Sequence, residues 1–324
     1  MTQDPTALNS SPLTLQLGVK TDPIEYRYSY EWLFRLLAEE GVPHLQLGTF
    51  FELYLLPDAF FVDLRKLAAD FGLTISSVFS AHRELGGLMR DEHPAWGEAA
   101  RRAYRRMIEV GALLGAEAVG ASAGAVMRDR PGSKEAGIAR YLAFMKEMMH
   151  YAHEQGVAYL TVEPMSALAE PPTLPEELQA MGEELFAYHR QHLTDTAGFG
   201  YCTDVAHGYA DQDGNVVWDN MQLLQASLPY VHHIHLKNTD GLFNSTFGFA
   251  PAELERGIVD VVAVRDLLLA QAGFIPHRTL VGYLEIGGPK TGRDYSDWKL
   301  EGMLRESLRY LQSVFPTESV GVQR

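Results

Sequence analysis

Eight times along this 324-residue chain, a short run with strand-like alternation gives way to a longer run with helical periodicity. Such a βαβα series calls for a parallel sheet, and eight units are enough to close one into a barrel. LTLQLGVK (13–20) is followed by an amphipathic helix from Tyr30 to Glu40, and HLQLGTFF (44–51) by a helix near Phe60 to Phe71 that Gly72 stops. LTISSVFS (73–80) precedes a helix from Pro94 to Leu114, and AEAVGAS precedes one from Lys134 to Gln155. VAYLTVE, GYCTDVA, VHHIHLK and TLVGYLE are the remaining strands, with helices expected near 174–194, 219–227, 257–272 and 298–314. A doubly wound open sheet shares this alternation, but no dinucleotide fingerprint follows the first strand. No Pro-, Gly- or Ser-rich linker divides the chain.

The expectation is one α/β domain, a (β/α)8 TIM barrel over residues 13–315, with a flexible N-terminal arm (1–12) and a C-terminal tail (316–324). The βα loops are extended, particularly after the third, seventh and eighth strands, and loops on that face usually shape a site.

Charge narrows the range of partners. Twenty-seven Lys and Arg against 42 Asp and Glu give a net charge of −15, which disfavours nucleic acid. Arg101, Arg102, Arg105 and Arg106 form a basic helix face, but Glu98 and Glu109 flank it, and it reads as a solvated face or subunit contact. No apolar run approaches the roughly 20 residues of a membrane span, and the first residues lack a basic segment leading into an apolar one. The expected location is cytoplasmic, without membrane attachment. The lone cysteine, Cys202, has no intrachain disulfide partner and reads as a buried strand residue.

Four of the strand-like runs carry a potential metal ligand at the C-terminal end: Glu163 in YLTVEP, Asp204 in GYCTDVAH, His235 in HHIHLK and Glu285 in LVGYLEIGG. Separations of 41, 31 and 50 positions are no obstacle, because a barrel brings all its strand ends to one face. Each residue alone reads equally well as a strand-end salt bridge or a hydrogen-bonded core histidine. Together they place three carboxylates and an imidazole at corresponding ends of consecutive strands, a largely hard donor set suited to Mn2+ or Mg2+, with Co2+ and Zn2+ as further candidates. His207 completes a D-x-x-H pattern with Asp204, and His233 shares a strand face with His235 while His232 faces the other way. His82 and Lys237 also follow strands and are candidates for substrate oxygens, against plain roles in a loop and in balancing carboxylates. Lys20, Arg83, Lys290 and Arg293 follow strands too, with no phosphate-binding signature connecting them. The four tryptophans mostly fall in helical patterns and read as packing residues.

These ordered Glu, Asp-x-x-His, His-x-His and Glu signatures resemble those of the xylose-isomerase-like TIM-barrel superfamily, in its sugar and sugar-phosphate isomerase/epimerase branch. The resemblance covers residues 13 to 315. It implies that Glu163, Asp204, His235 and Glu285 bind one divalent metal, that His207 contacts substrate, and that Glu163 and Glu285 serve as the acid/base pair. It also implies a small carbohydrate substrate and a homodimer or homotetramer. Where some ketose epimerases of this group have an arginine six positions after the strand-seven histidine, this chain has Gly241, and Asn238 replaces the acid of an H-x-K-D pattern. Isomerisation, epimerisation and dehydration all remain compatible with the ligands, as does a sugar-binding barrel without turnover. A metal nuclease is a weaker rival, since it needs further His and Glu ligands.

Overall fold

The computed structural model describes residues 13–25, 27–48, 51–80, 83–290 and 292–315. The first six strands are β1 (Thr14–Lys20), β2 (His44–Gly48), β3 (Thr74–Ser80), β4 (Ala118–Ser122), β5 (Tyr159–Glu163) and β6 (Gly198–Asp204). A hairpin of β7 (Tyr209–Ala210) and β8 (Val216–Trp218) follows, and then β9 (Val231–Leu236) and β10 (Thr279–Leu284). All but the hairpin pair in parallel in a closed barrel, in the order β1, β10, β9, β6, β5, β4, β3, β2. The expected eight-stranded TIM barrel is the observed fold.

Around it lie α1 (Tyr30–Glu40), α2 (Phe51–Leu55), α3 (Asp58–Asp70), α4 (Pro94–Leu114), α5 (Lys134–Gln155) and α6 (Pro175–Gln191). The chain continues through α7 (Asn220–Ser227), α8 (Pro251–Leu254), α9 (Val261–Ala270), α10 (Asp294–Asp297) and α11 (Leu300–Val314). Local chemistry sets several ends. Ser29 accepts the Trp32 N–H at 3.2 Å to start α1, and Gly41 closes that helix at φ 69°, a left-handed conformation that glycine adopts without a Cβ clash. Arg305 of α11 reaches Glu40 of α1 at 2.7 Å and Arg309 reaches it at 2.9 Å, tying the last helix to the first.

Strand alternation separates two environments. Val19, Leu45, Leu47, Val78, Val119, Leu160, Ile234 and Leu236 are buried in the apolar core beside helix residues such as Leu33, Leu37 and Met107. The alternate positions point inward, and many of them are polar. Gln46 of β2 and His235 of β9 sit on non-neighbouring strands yet hydrogen-bond at 2.7 Å, so they meet through the barrel interior. Ser77, Thr161, Cys202 and His233 are buried as well. Part of the usual branched apolar filling of such barrels is replaced here by polar groups, of which Gln46 bonds to Ser77, His233 and His235. Phe79 is an exception, its ring edge-on to His235 with centroids 5.0 Å apart.

Two sequence expectations change. The second strand run stops at Gly48, and Phe51 begins α2 instead of ending a strand. The hairpin of β7 and β8 was not expected, and it places Trp218 in a strand. The arm, the tail and His82 lie outside the described residues. No helix among the described residues is long and apolar enough to cross a membrane.

Gly120 leaves the room that Phe79 fills: a β-carbon there would come within 3.0 Å of the Phe79 ring and 2.1 Å of Thr161 Oγ1. Gly120→Val is expected to destabilise the barrel by about 1–3 kcal/mol through overpacking. Urea unfolding followed by circular dichroism checks this, and an unchanged midpoint would contradict it.

Candidate metal centre

Glu163 ends β5, Asp204 ends β6, His235 is the penultimate residue of β9, and Glu285 directly follows β10. These strands are consecutive around the barrel, with Asp204 directly paired to His235 across β6 and β9. One ligand atom from each of the four residues lies within 4.8 Å of all the others. His235 Nδ1 faces the two glutamates, 3.1 Å from Glu163 Oε1 and 3.3 Å from Glu285 Oε2. Asp204 anchors its Oδ1 on the Ala206 N–H at 2.7 Å, while Oδ2 lies 2.6 Å from Lys237 Nζ.

The donor set fits a hard divalent cation. Coordination through His235 Nδ1 requires that nitrogen to be bare, and Gln46 Oε1 at 2.7 Å from Nε2 provides an acceptor for the remaining N–H. Charge agrees with this. When ionised, Glu163, Asp204, Glu285 and Asp22 carry two more negative charges than Lys20 and Lys237 carry positive ones. One divalent ion would supply the difference.

Without such an ion, neighbouring cations hold the carboxylates. Burial opposes ionisation of Glu285, but His235, Lys20 and Lys237 together hold it well below the ordinary carboxylate range. Burial likewise opposes charge on Lys20, and Asp22, Glu285 and Glu163 overcome it, so the ammonium is held well above its ordinary range. Lys20 bonds Glu285 and pairs with Asp22 at 2.9 Å. A β-carbon on Gly48 would lie 1.6 Å from Asp22 Oδ1, so glycine leaves the space this carboxylate occupies. Lys237 lies 3.5 Å from Glu285 Oε2 and 3.0 Å from His207 Nε2. His207 donates its Nδ1–H to the Pro164 carbonyl at 2.7 Å, which turns Nε2 toward Lys237 and Asp204.

Two cavities open on this face. One of about 390 Å³ runs over β5, β6 and β9, where His207, Lys237, Ser166, Asn244, Ser245 and Thr246 line it. The other, about 210 Å³, lies beside β1 and β2 among Asp22, Glu25, Glu52, Tyr28, Tyr30 and Phe60. Burial pushes Glu25 up to about 8, with Glu52 and Asp22 adding to the rise.

Residues 34–314 match the family model described as a xylose isomerase-like TIM barrel. The chain belongs to that family. No curated protein sequence matches it. Among solved structures, it is similar to a Rhodospirillum rubrum ATCC 11170 protein named "Putative Xylose isomerase". That match has a TM-score of 0.75 at 19% identity, covering 93% of this chain and 100% of the other. D-psicose 3-epimerase from Clostridium cellulolyticum H10, solved with D-tagatose, superposes with a TM-score of 0.66 at 15% identity, covering 93% and 99% of the two chains. A "probable 3-DHS dehydratase" from Bacillus anthracis superposes with a TM-score of 0.62 at 12% identity, covering 92% and 98%. At these identities the likeness establishes the shared barrel.

In this xylose isomerase-like barrel the four expected ligands converge, and His207 and Lys237 adjoin them. Gln46, Lys20 and Asp22 complete the surroundings without having been assigned a part from sequence. Gln46 was legible as a lone polar residue between Leu45 and Leu47 in a buried run. Lys20 was legible as the only charge in the run LTLQLGVK.

Lys20→Met is expected to cost about 3–5 kcal/mol by leaving the Asp22 and Glu285 carboxylates buried without their cation. Urea unfolding at neutral pH tests this, and a variant as stable as the wild type would show that neither pair matters. A second expectation concerns acid. Burial, with His277 adding to it, lowers His232 from 6.5 to about 3. A depressed histidine contributes stability that is present above 6.5 and lost as pH falls toward the folded value. His232→Asn should therefore reduce the slope of stability against pH by about 1.4 kcal/mol per unit in that interval. Equal slopes in denaturant titrations at several pH values would refute it.

Proposed function

We propose that this chain is a divalent-metal-dependent isomerase or epimerase of a small ketose or ketose phosphate, acting by proton transfer through an enediolate. One observation carries the reading: Glu163 and Glu285 approach the same imidazole nitrogen from different strands, at 3.1 and 3.3 Å, in a cluster whose donors share a 4.8 Å radius of one another. Glu163, Asp204, His235 and Glu285 would hold the ion, which when bound polarises a carbonyl and acidifies the neighbouring C–H.

Glu163 and Glu285 are then the acid/base pair. One removes the proton beside the carbonyl, and a proton returned to the other face of the same carbon inverts it. Return to the adjacent carbon interconverts ketose and aldose. His207, oriented by the Pro164 carbonyl, and Lys237 both line the larger cavity. Both are placed to bind substrate oxygens, a part also proposed for His82. That proteins of this fold include D-psicose 3-epimerase supports the leading reading, and a probable 3-DHS dehydratase among them keeps elimination as its rival.

A panel of ketoses and ketose phosphates incubated in D2O with Mg2+ or Mn2+, then chelated and read by NMR and mass spectrometry, tests the assignment. Deuterium is expected beside the carbonyl, with exchange reduced about 10²- to 10⁴-fold in Glu163→Gln and in Glu285→Gln while circular dichroism stays native. Full exchange in both variants would remove the acid/base assignment. A product lighter by water would replace isomerisation with dehydration, and metal-supported sugar binding without exchange would favour a binding barrel.

A further inference from the structure

The polar interior of the barrel contains a continuous chain of hydrogen bonds that starts at a metal ligand and ends at the opposite face. His235 Nε2 lies 2.7 Å from Gln46 Oε1. The Gln46 amide nitrogen lies 3.2 Å from His233 Nε2 and 3.1 Å from Ser77 Oγ. His233 Nδ1 lies 2.9 Å from His232 Nδ1. His232 lines a cavity of about 330 Å³ among residues that begin the strands, including Gln16, His44 and Thr279.

One set of proton positions satisfies every link once His235 coordinates through Nδ1. Nε2 then carries the proton and donates to the amide oxygen, which leaves the amide nitrogen to donate to His233 Nε2. His233 in turn donates from Nδ1, and His232 accepts. Cys202 Sγ also lies 3.1 Å from His235 Nε2, but sulfur is a weak acceptor beside an amide oxygen at 2.7 Å.

We infer that Gln46 is a positioning residue for the metal centre, fixing the tautomer and ring plane of His235 through a hydrogen-bond chain continued by His233 and His232. The hydrogen bonds of the Gln46 amide run to Ser77, His233 and His235, and the linings of the two mouth cavities do not include it, so it would act through His235. This deepens the metal-centre reading and rests on it. Removing such a partner of a ligating histidine typically weakens metal binding by about 10- to 100-fold.

The test is calorimetric titration of Mn2+ into the full-length, metal-free protein. Gln46→Leu should bind about 10- to 100-fold more weakly than wild type. Gln46→Glu keeps an acceptor for the His235 N–H in either protonation state, and as a neutral acid also keeps a donor toward His233. It should stay within about threefold of wild type, although a buried carboxyl is the harsher replacement on packing grounds. Wild-type affinity in Gln46→Leu, or equal loss in both variants, would overturn the inference. Should Gln46→Leu not fold, histidine nitrogen NMR of the Zn2+-loaded wild type decides, with the ring identified by its disappearance in His235→Asn. A protonated Nε2 and a coordinated Nδ1 are expected, and coordination through Nε2 overturns the inference. If wild type binds no Mn2+ at all, the metal centre itself falls, an outcome distinct from a failure confined to Gln46.

Discussion

Repulsion among buried carboxylates is the constraint to which the rest of this barrel answers. Bringing Glu163, Asp204 and Glu285 into one cluster takes their charges out of water and sets them against one another. The fold compensates with Lys20, Lys237 and the His235 ring, each itself buried and each tolerable there only because the acids are present. Neither set could be kept in the interior alone.

That balance explains the division between the two faces of the strands. The outward face is ordinary, apolar and packed against helices, and supplies most of the hydrophobic stabilisation. The inward face gives up part of that packing for amide, hydroxyl and imidazole groups, which tolerate burial because they satisfy one another. Where the interior must accept a bulky ring, the neighbouring strand carries Gly120. Where it must accept Asp22, the next strand carries Gly48.

Much of this was readable from the chain itself. The alternation of periods identified the barrel, and the four candidate ligands stood out because each occupies the same place in its unit, next to a Pro, a Gly-Gly or a following loop. The bounds of α1, α4 and α5 agree with the sequence reading because glycine closes each of them in a left-handed conformation. What escaped was whatever depends on closure. Lys20 and Glu285 are 265 positions apart, and Gln46 and His235 are 189 apart. No local pattern links them until β1 has paired with β10. The β7–β8 hairpin escaped for the opposite reason: its strands are too short, and Val216 and Val217 too exposed, to show an alternating pattern.

The pairing of Lys20 with Glu285 lies across the seam where the first strand meets the last. A chain growing from its N-terminus presents Lys20 and Gln46 early, yet their partners Glu285 and His235 are made 265 and 189 positions later. The contacts that gather the carboxylate cluster therefore depend on the same strand pairing that closes the cylinder.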